Sequence, residues 1–119
     1  MMKSISCILL VCLLGLMAYA EETQEQQVQR LIGELQDDDF NVRFNAVKAL
    51  RKIGPGAKDA VPALTQAFRD ENKDVRGSAA IALANIGKDA VPTLIELLQD
   101  QEWRIRSNAA VALVQIGTP

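Results

Sequence analysis

Three stretches of this chain repeat one pattern: LIGELQDDDFNVR (31–43), LTQAFRDENKDVR (64–76) and LIELLQDQEWRIR (94–106). In each, an apolar run ends in an aspartate, and an arginine follows six residues later behind a β-branched residue. The pairs are Asp37 and Arg43, Asp70 and Arg76, Asp100 and Arg106. A second block follows each: NAVKALRKIG (45–54), SAAIALANIG (78–87) and NAAVALVQIG (108–117). Self-similarity of this length predicts stacked supersecondary units, none able to bury its apolar face alone.

The units are spaced by 33 residues from Val42 to Val75 and by 30 from Val75 to Ile105. The difference is one insertion, Pro55-Gly56-Ala57, after Gly54, whereas Gly87 passes directly to Lys88. Stacked helical repeats tolerate insertions confined to such turns. Each unit reads as two helices, giving units of about 24–54, 58–87 and 88–117. First helices are expected over roughly 24–36, 59–69 and 89–99. Asp59 and Asp89 stand where a side chain can cap free N–H groups, and Pro62 and Pro92 fall in a first turn that loses no hydrogen bond to proline.

Second helices are expected over 41–53, 74–86 and 103–116. In the middle unit Val75, Ala79, Ala82, Leu83 and Ile86 share one helical face. Gly54, Gly87 and Gly117 are expected to stop these helices in a left-handed conformation. Alanines 46, 49, 79, 82, 109 and 112 let helices approach closely, while Leu50, Leu83 and Leu113 fill the core. No segment alternates with period two for long enough to suggest a strand. The fold class is all-α: an α-solenoid of about three stacked helix-turn-helix repeats.

The first twenty residues stand outside that fold. Lys3 precedes an apolar run from Ile5 to Met17, and Ala18-Tyr19-Ala20 leads into Glu21-Glu22. A run of that length falls short of the about 20 residues that cross a bilayer, and the pattern is that of a secretory signal peptide over 1–20. An acylated Cys12 is the disfavoured rival, because Val11 is larger than the small residue a lipidation site needs there. Export to a periplasm or medium is therefore expected, with the mature domain over 21–119 and no membrane span after cleavage. Both cysteines, Cys7 and Cys12, leave with the signal. The remaining chain has neither cysteine nor histidine, and its twelve basic against fifteen acidic side chains give a net charge of −3. Intrachain disulfides are excluded from it, so packing alone must hold the domain.

Taken together, A-V-P-x-L (60–64 and 90–94), then Asp70 or Asp100, then Val75-Arg76 or Ile105-Arg106, then A-x-x-A-L-x-x-I-G resembles HEAT repeats, in particular the short HEAT-like repeats named after phycobilisome lyases. The resemblance covers 28–117, with the first unit departing at Gln29, where the pattern would have proline. It implies that Asp37, Asp70 and Asp100, with Arg43, Arg76 and Arg106, form a structural ladder. In such a ladder each aspartate receives hydrogen bonds from turn amides and from arginine side chains. It also implies that the second helices line the concave side of the array.

Much chemistry is excluded. Without His or Cys, 21–119 builds no Ser-His-Asp triad, no thiol nucleophile and no ordinary zinc site. The iron-binding hydroxylases with HEAT-like repeats need His-Glu pairs, and bilin lyase subunits are cytoplasmic, against the export signal. Gly54-Pro55-Gly56 is a turn and not a phosphate loop. Asp37-Asp38-Asp39 lacks the glycine and downstream glutamate of an EF-hand; Asp39 instead suits a helix N-terminus. The acidic net charge argues against nucleic acid. No catalytic residue, cofactor or metal is expected.

What remains is a surface. On the outer side of the second helices stand Phe44, Lys48 and Arg51, with Lys52 at the edge; then Gly77, Ile81 and Ala84; then Ser107, Val111 and Val114. This row grades from basic to apolar and is a candidate partner surface; packing against neighbouring helices is the competing use. Trp103, the single tryptophan, serves either as an interface anchor or as a staple over its own helix start, the staple being favoured. The expected function is an exported scaffold that binds a protein and has no catalysis of its own. The alternatives are a non-catalytic accessory subunit of an enzyme and, more weakly, an enzyme using carboxylates alone. Because Val111, Val114 and Ile116 crowd the third unit, self-association through that unit is a further expectation.

Overall fold

The computed structural model describes residues 21–117. The expected signal peptide over 1–20, with Cys7 and Cys12, lies outside the described residues, as do Thr118 and Pro119. Helices run in the order α1 (Gln24–Glu34), α2 (Phe40–Ile53), α3 (Val61–Gln66), α4 (Lys73–Ile86), α5 (Val91–Leu97) and α6 (Trp103–Gly117). No strand occurs among the described residues. The all-α solenoid is the observed fold. Among the described residues no helix is long and apolar enough to cross a membrane.

The second helices begin as their sequences dictate. Asp39 caps α2 by accepting from Asn41 N (2.9 Å), and Asn72 caps α4 by accepting from Asp74 N (2.8 Å) and Val75 N (3.2 Å). Each such cap satisfies amides that have no intrahelical partner. At α1, Thr23 Oγ1 accepts from Gln26 N while Gln26 Oε1 accepts from Thr23 N, a reciprocal capping box.

The first helices differ from expectation at their starts. Asp59 and Asp89 make no capping bond, and the cap positions are Ala60 and Ala90. The reason is that 3₁₀ turns over Gly54–Ala60 and Lys88–Ala90 precede α3 and α5. Their i→i−3 bonds, Val61 N to Lys58 O and Val91 N to Lys88 O, supply the acceptors from the backbone. Pro62 and Pro92 do occupy the first turns.

Gly54 (φ 68°, ψ −132°) and Gly87 (φ 87°, ψ −134°) reverse the chain in a region that residues with a Cβ avoid. Gly117 does not: it is the last helical residue of α6, and positive φ among the described residues is confined to the other two glycines.

The helices α2, α4 and α6 lie side by side, with α4 in the middle, and each packs against the first helix of its own unit. Ala46, Ala79, Ala82, Ala109 and Ala112 are buried at these crossings, as are Leu50, Leu83, Val75 and Ile86. Ala49 is half-buried. Each fully buried leucine contributes about 1.5–3 kcal/mol by leaving water. The Pro55–Ala57 insertion is more than a tolerated loop: Ala57 is fully buried in the core, and α1 packs on this segment.

The third unit is less covered. Phe68 is buried, whereas Leu98 at the same register is exposed; Leu83 and Ile86 are buried, whereas Leu113 and Ile116 are half-buried. Neighbours on both sides make the middle unit's core.

Candidate functional site

The aspartates and arginines meet at the turns between the helices of each unit. In all three turns the carboxylate accepts from the amide two residues on: Asp37 from Asp39 N, Asp70 from Asn72 N and Asp100 from Glu102 N, each at 2.9 Å. The arginine six residues later turns back on the same loop. Arg43 Nη1 donates to Asp37 O (2.7 Å) and Asp38 O (3.0 Å), Arg76 Nη1 to Asp70 O (2.6 Å), and Arg106 Nη1 to Asp100 O (2.7 Å) and Gln101 O (2.9 Å). The six-residue spacing thus places a guanidinium against carbonyls that the helix leaves unpaired.

Between units the arrangement is uneven. Arg43 reaches across to Asp70, Nε to Oδ2 at 2.8 Å and Nη2 to Oδ1 at 3.2 Å, a two-pronged contact with both side chains nearly buried. Hydrogen bonding to Asp70 raises the Arg43 pKa above its ordinary value. The same rung does not form next door. Asp100 is held by Arg69 instead, with its other oxygen on the Glu102 amide. The Glu102 amide lowers the Asp100 pKa most; desolvation pushes the other way, and Arg69 adds to the lowering. Among the described residues, no carboxylate lies within ion-pair distance of Arg76, Arg106 or Lys73, and no arginine side chain reaches the Asp37 carboxylate. Sequence repetition could not reveal Arg69, because its counterparts are Gln36 and Gln99.

On the outer face of the second helices, Ile81 is 36% exposed, Val111 48% and Val114 68%. Phe44 is half-buried against the core, with Lys48 Nζ 5.5 Å above its ring. Arg51 is half-buried and Lys52 exposed. Trp103 does not fold over its helix as a staple: 66% of it faces solvent, with the Arg104 guanidinium 5.7 Å from the ring centre. It is the first residue of α6 and so stands past the N′ position from which a staple packs onto the first turn. Trp103 instead lines a cleft of about 240 Å³ with Lys73, Arg76, Gly77, Arg104 and Ser107. A second hollow of about 440 Å³, around Arg69, Asp100 and Glu102, is strongly polar.

Among the described residues no cluster of three or more acidic side chains could hold a metal ion. No curated protein matches the chain. The HEAT-repeat family model matches residues 13–84 and again 61–119, so the recurrent Asp–Arg turns, the stacked helix pairs and the family pattern cover one and the same stretch, and the chain belongs to the HEAT-repeat family.

Proposed function

We propose that this chain is an exported HEAT-repeat scaffold that binds a protein partner on the outer face of its second helices and performs no catalysis itself. HEAT repeats are in general protein-interaction scaffolds. The observation that carries the reading is the exposed row of Ile81, Val111 and Val114 on adjacent second helices of such an array. Scattered apolar residues are ordinary on a surface, but a contiguous row marks a contact. Absence of His and Cys from 21–119 supports the lack of catalysis, and the apolar run ahead of Ala18-Tyr19-Ala20 supports export. The Pro-Asp-Arg order of the second and third units supports the short, phycobilisome-lyase-like form of the repeat.

The test is photo-crosslinking in the exporting cell, with the reactive group placed at Val114 or, as a control on a first helix, at Gln66. One stoichiometric protein captured from Val114 and not from Gln66 is the expected result; identical patterns from both positions would refute the surface. Mass spectrometry of the same material should show an N-terminus at Glu21, and an intact Met1 or a lipid on Cys12 would overturn the export assignment.

A further inference from the structure

The cleft between the starts of α4 and α6 has a composition that the scaffold reading leaves unused. Lys73 and Arg76 come from α4, Trp103 and Arg104 from α6, and none of the residues lining it is acidic. Three cations therefore face one depression on a chain whose net charge is −2.

The cleft lies at the junction where the Asp–Arg rung is missing. At the first junction the counterpart of Arg76 is Arg43, buried and committed to Asp70. At the second, Arg69 has taken Asp100, so Arg76 spends one nitrogen on the Asp70 carbonyl and keeps the rest of its guanidinium for the cleft. The counterparts also differ in bulk. Phe44 in the first unit is replaced by Gly77, whose missing Cβ would meet nothing within 4 Å, and by Ser107 in the third. Phe40 is replaced by Lys73 and by Trp103. Loss of two rings and release of one guanidinium leave this junction with an open, basic slot walled by Trp103.

We propose that this slot reads carboxylate side chains on an acidic segment of the protein partner, an inference that rests on the scaffold function above. Arg76 and Arg104 present planar forks that match carboxylates, Lys73 adds a point charge, and the Trp103 ring covers the aliphatic part of a glutamate. At about 240 Å³ the slot holds a side chain or two and is too small for an ordinary metabolite pocket. Charge complementarity selects a short acidic segment over a nucleic acid strand. The net acidic charge of the chain disfavours a long polyanion, whereas a slot of this size takes one or two carboxylates at a time.

Trp103 is the single tryptophan, so its fluorescence reports the slot directly. Octaglutamate titrated into the full chain should change this emission saturably, and raising salt from about 0.05 to about 0.5 M should weaken binding. Lys73→Gln with Arg104→Gln should weaken it about tenfold, the effect of two exposed charges on a charged ligand. Neither residue has a hydrogen-bonded partner among the described residues, so the melting temperature should stay put. Lys58→Gln with Lys88→Gln, exposed lysines away from the slot and from the outer face of the second helices, should leave binding unchanged.

No emission change with octaglutamate, equal loss in both double variants, or equally tight binding of an oligothymidylate of matched charge would each overturn the proposal. Crosslinking from Val114 that succeeds while octaglutamate fails removes the slot and leaves the scaffold. Octaglutamate binding without a Val114 crosslink removes the apolar contact surface and retains the slot.

Discussion

Arg43 of the first unit and Asp70 of the second form a bidentate pair in which each side chain is 9% exposed. The same guanidinium holds the carbonyls of its own turn, and the same carboxylate holds the Asn72 amide, so one pair fixes two turns and the seam between two units. Little of this shows as pairwise attraction; its weight lies in what is left behind when one partner goes.

Asp70→Ala should therefore strand a buried guanidinium and an amide together. The expected loss is about 1–3 kcal/mol in urea unfolding, with Asp37→Ala costing clearly less because its carboxylate serves a single exposed amide. An Asp70→Ala protein with an unchanged midpoint would mean that the pair is ornamental. A double-mutant cycle with Arg43→Gln should show strong coupling, since the two singles remove one shared contact.

The helix pairs and the buried face of α4 were legible because a 3.6-residue period and recurrent alanines follow directly from packing. The starts of α3 and α5 were not. Asp59 and Asp89 look like caps in one dimension, but a 3₁₀ turn had already met the need with backbone carbonyls. The ladder was half legible. Each aspartate accepts from its turn amide, as the resemblance implied, but Arg43, Arg76 and Arg106 close their own turns through backbone carbonyls. The carboxylate-to-arginine rung across units exists at one junction and is diverted at the other by Arg69, a residue without counterparts. A repeat shows what its units share. The slot beside Trp103 arises from what they do not share, and single substitutions against the repeat, such as Gly77 for Phe44, are the signal that could have found it.

Backbone conformation separates the three glycines that end the second helices. Gly87→Ala, with φ at 87° and open space around the new Cβ, should cost about 1–3 kcal/mol through strain alone. Gly54→Ala should cost a similar amount, since φ is 68° there and its Cβ would meet the Asn85 carbonyl only at ordinary contact distance, 3.5 Å. Gly117→Ala, at a helical position, should be neutral or slightly stabilising. Thermal melts of the three variants check the order, and a destabilised Gly117→Ala would contradict the helical end of α6.

Acid should unfold the protein through its carboxylates. The Asp100 pKa is depressed below its ordinary 3.8, chiefly by the Glu102 amide and then by Arg69, and the Glu22 pKa is lowered by its hydrogen bond to Arg30. A depressed folded value gives stability that is present above the unfolded pKa and lost as pH falls through the folded one. Melting temperature should be level from about pH 5 to 8, where no histidine titrates, and fall below about pH 4. Asp100→Asn should flatten that acid limb while keeping the amide contact. A transition near neutral pH would be at odds with this set of groups.

Solvent should reach Trp103 freely. Acrylamide should quench it nearly as well as free indole, since two-thirds of the residue is exposed and only Arg104 stacks near the ring. A protected, blue-shifted tryptophan would restore the staple and close the slot.

Matched core truncations should measure how far neighbours cover each unit. Leu83 and Leu113 hold the same register on α4 and α6, one fully buried and the other half-buried. Leu83→Ala removes packed side-chain atoms and leaves a cavity between two flanking helices, at an expected cost of about 2–5 kcal/mol. Leu113→Ala gives up less buried surface beside open solvent, where the site can relax, and should cost about half as much or less. Chemical unfolding at low protein concentration provides the comparison. Equal costs would mean that something covers the third unit in solution. Concentration separates the sources of that cover: a Leu113→Ala penalty that grows with protein concentration identifies a second copy docked on α6, and Val111→Lys with Val114→Glu should then abolish the growth.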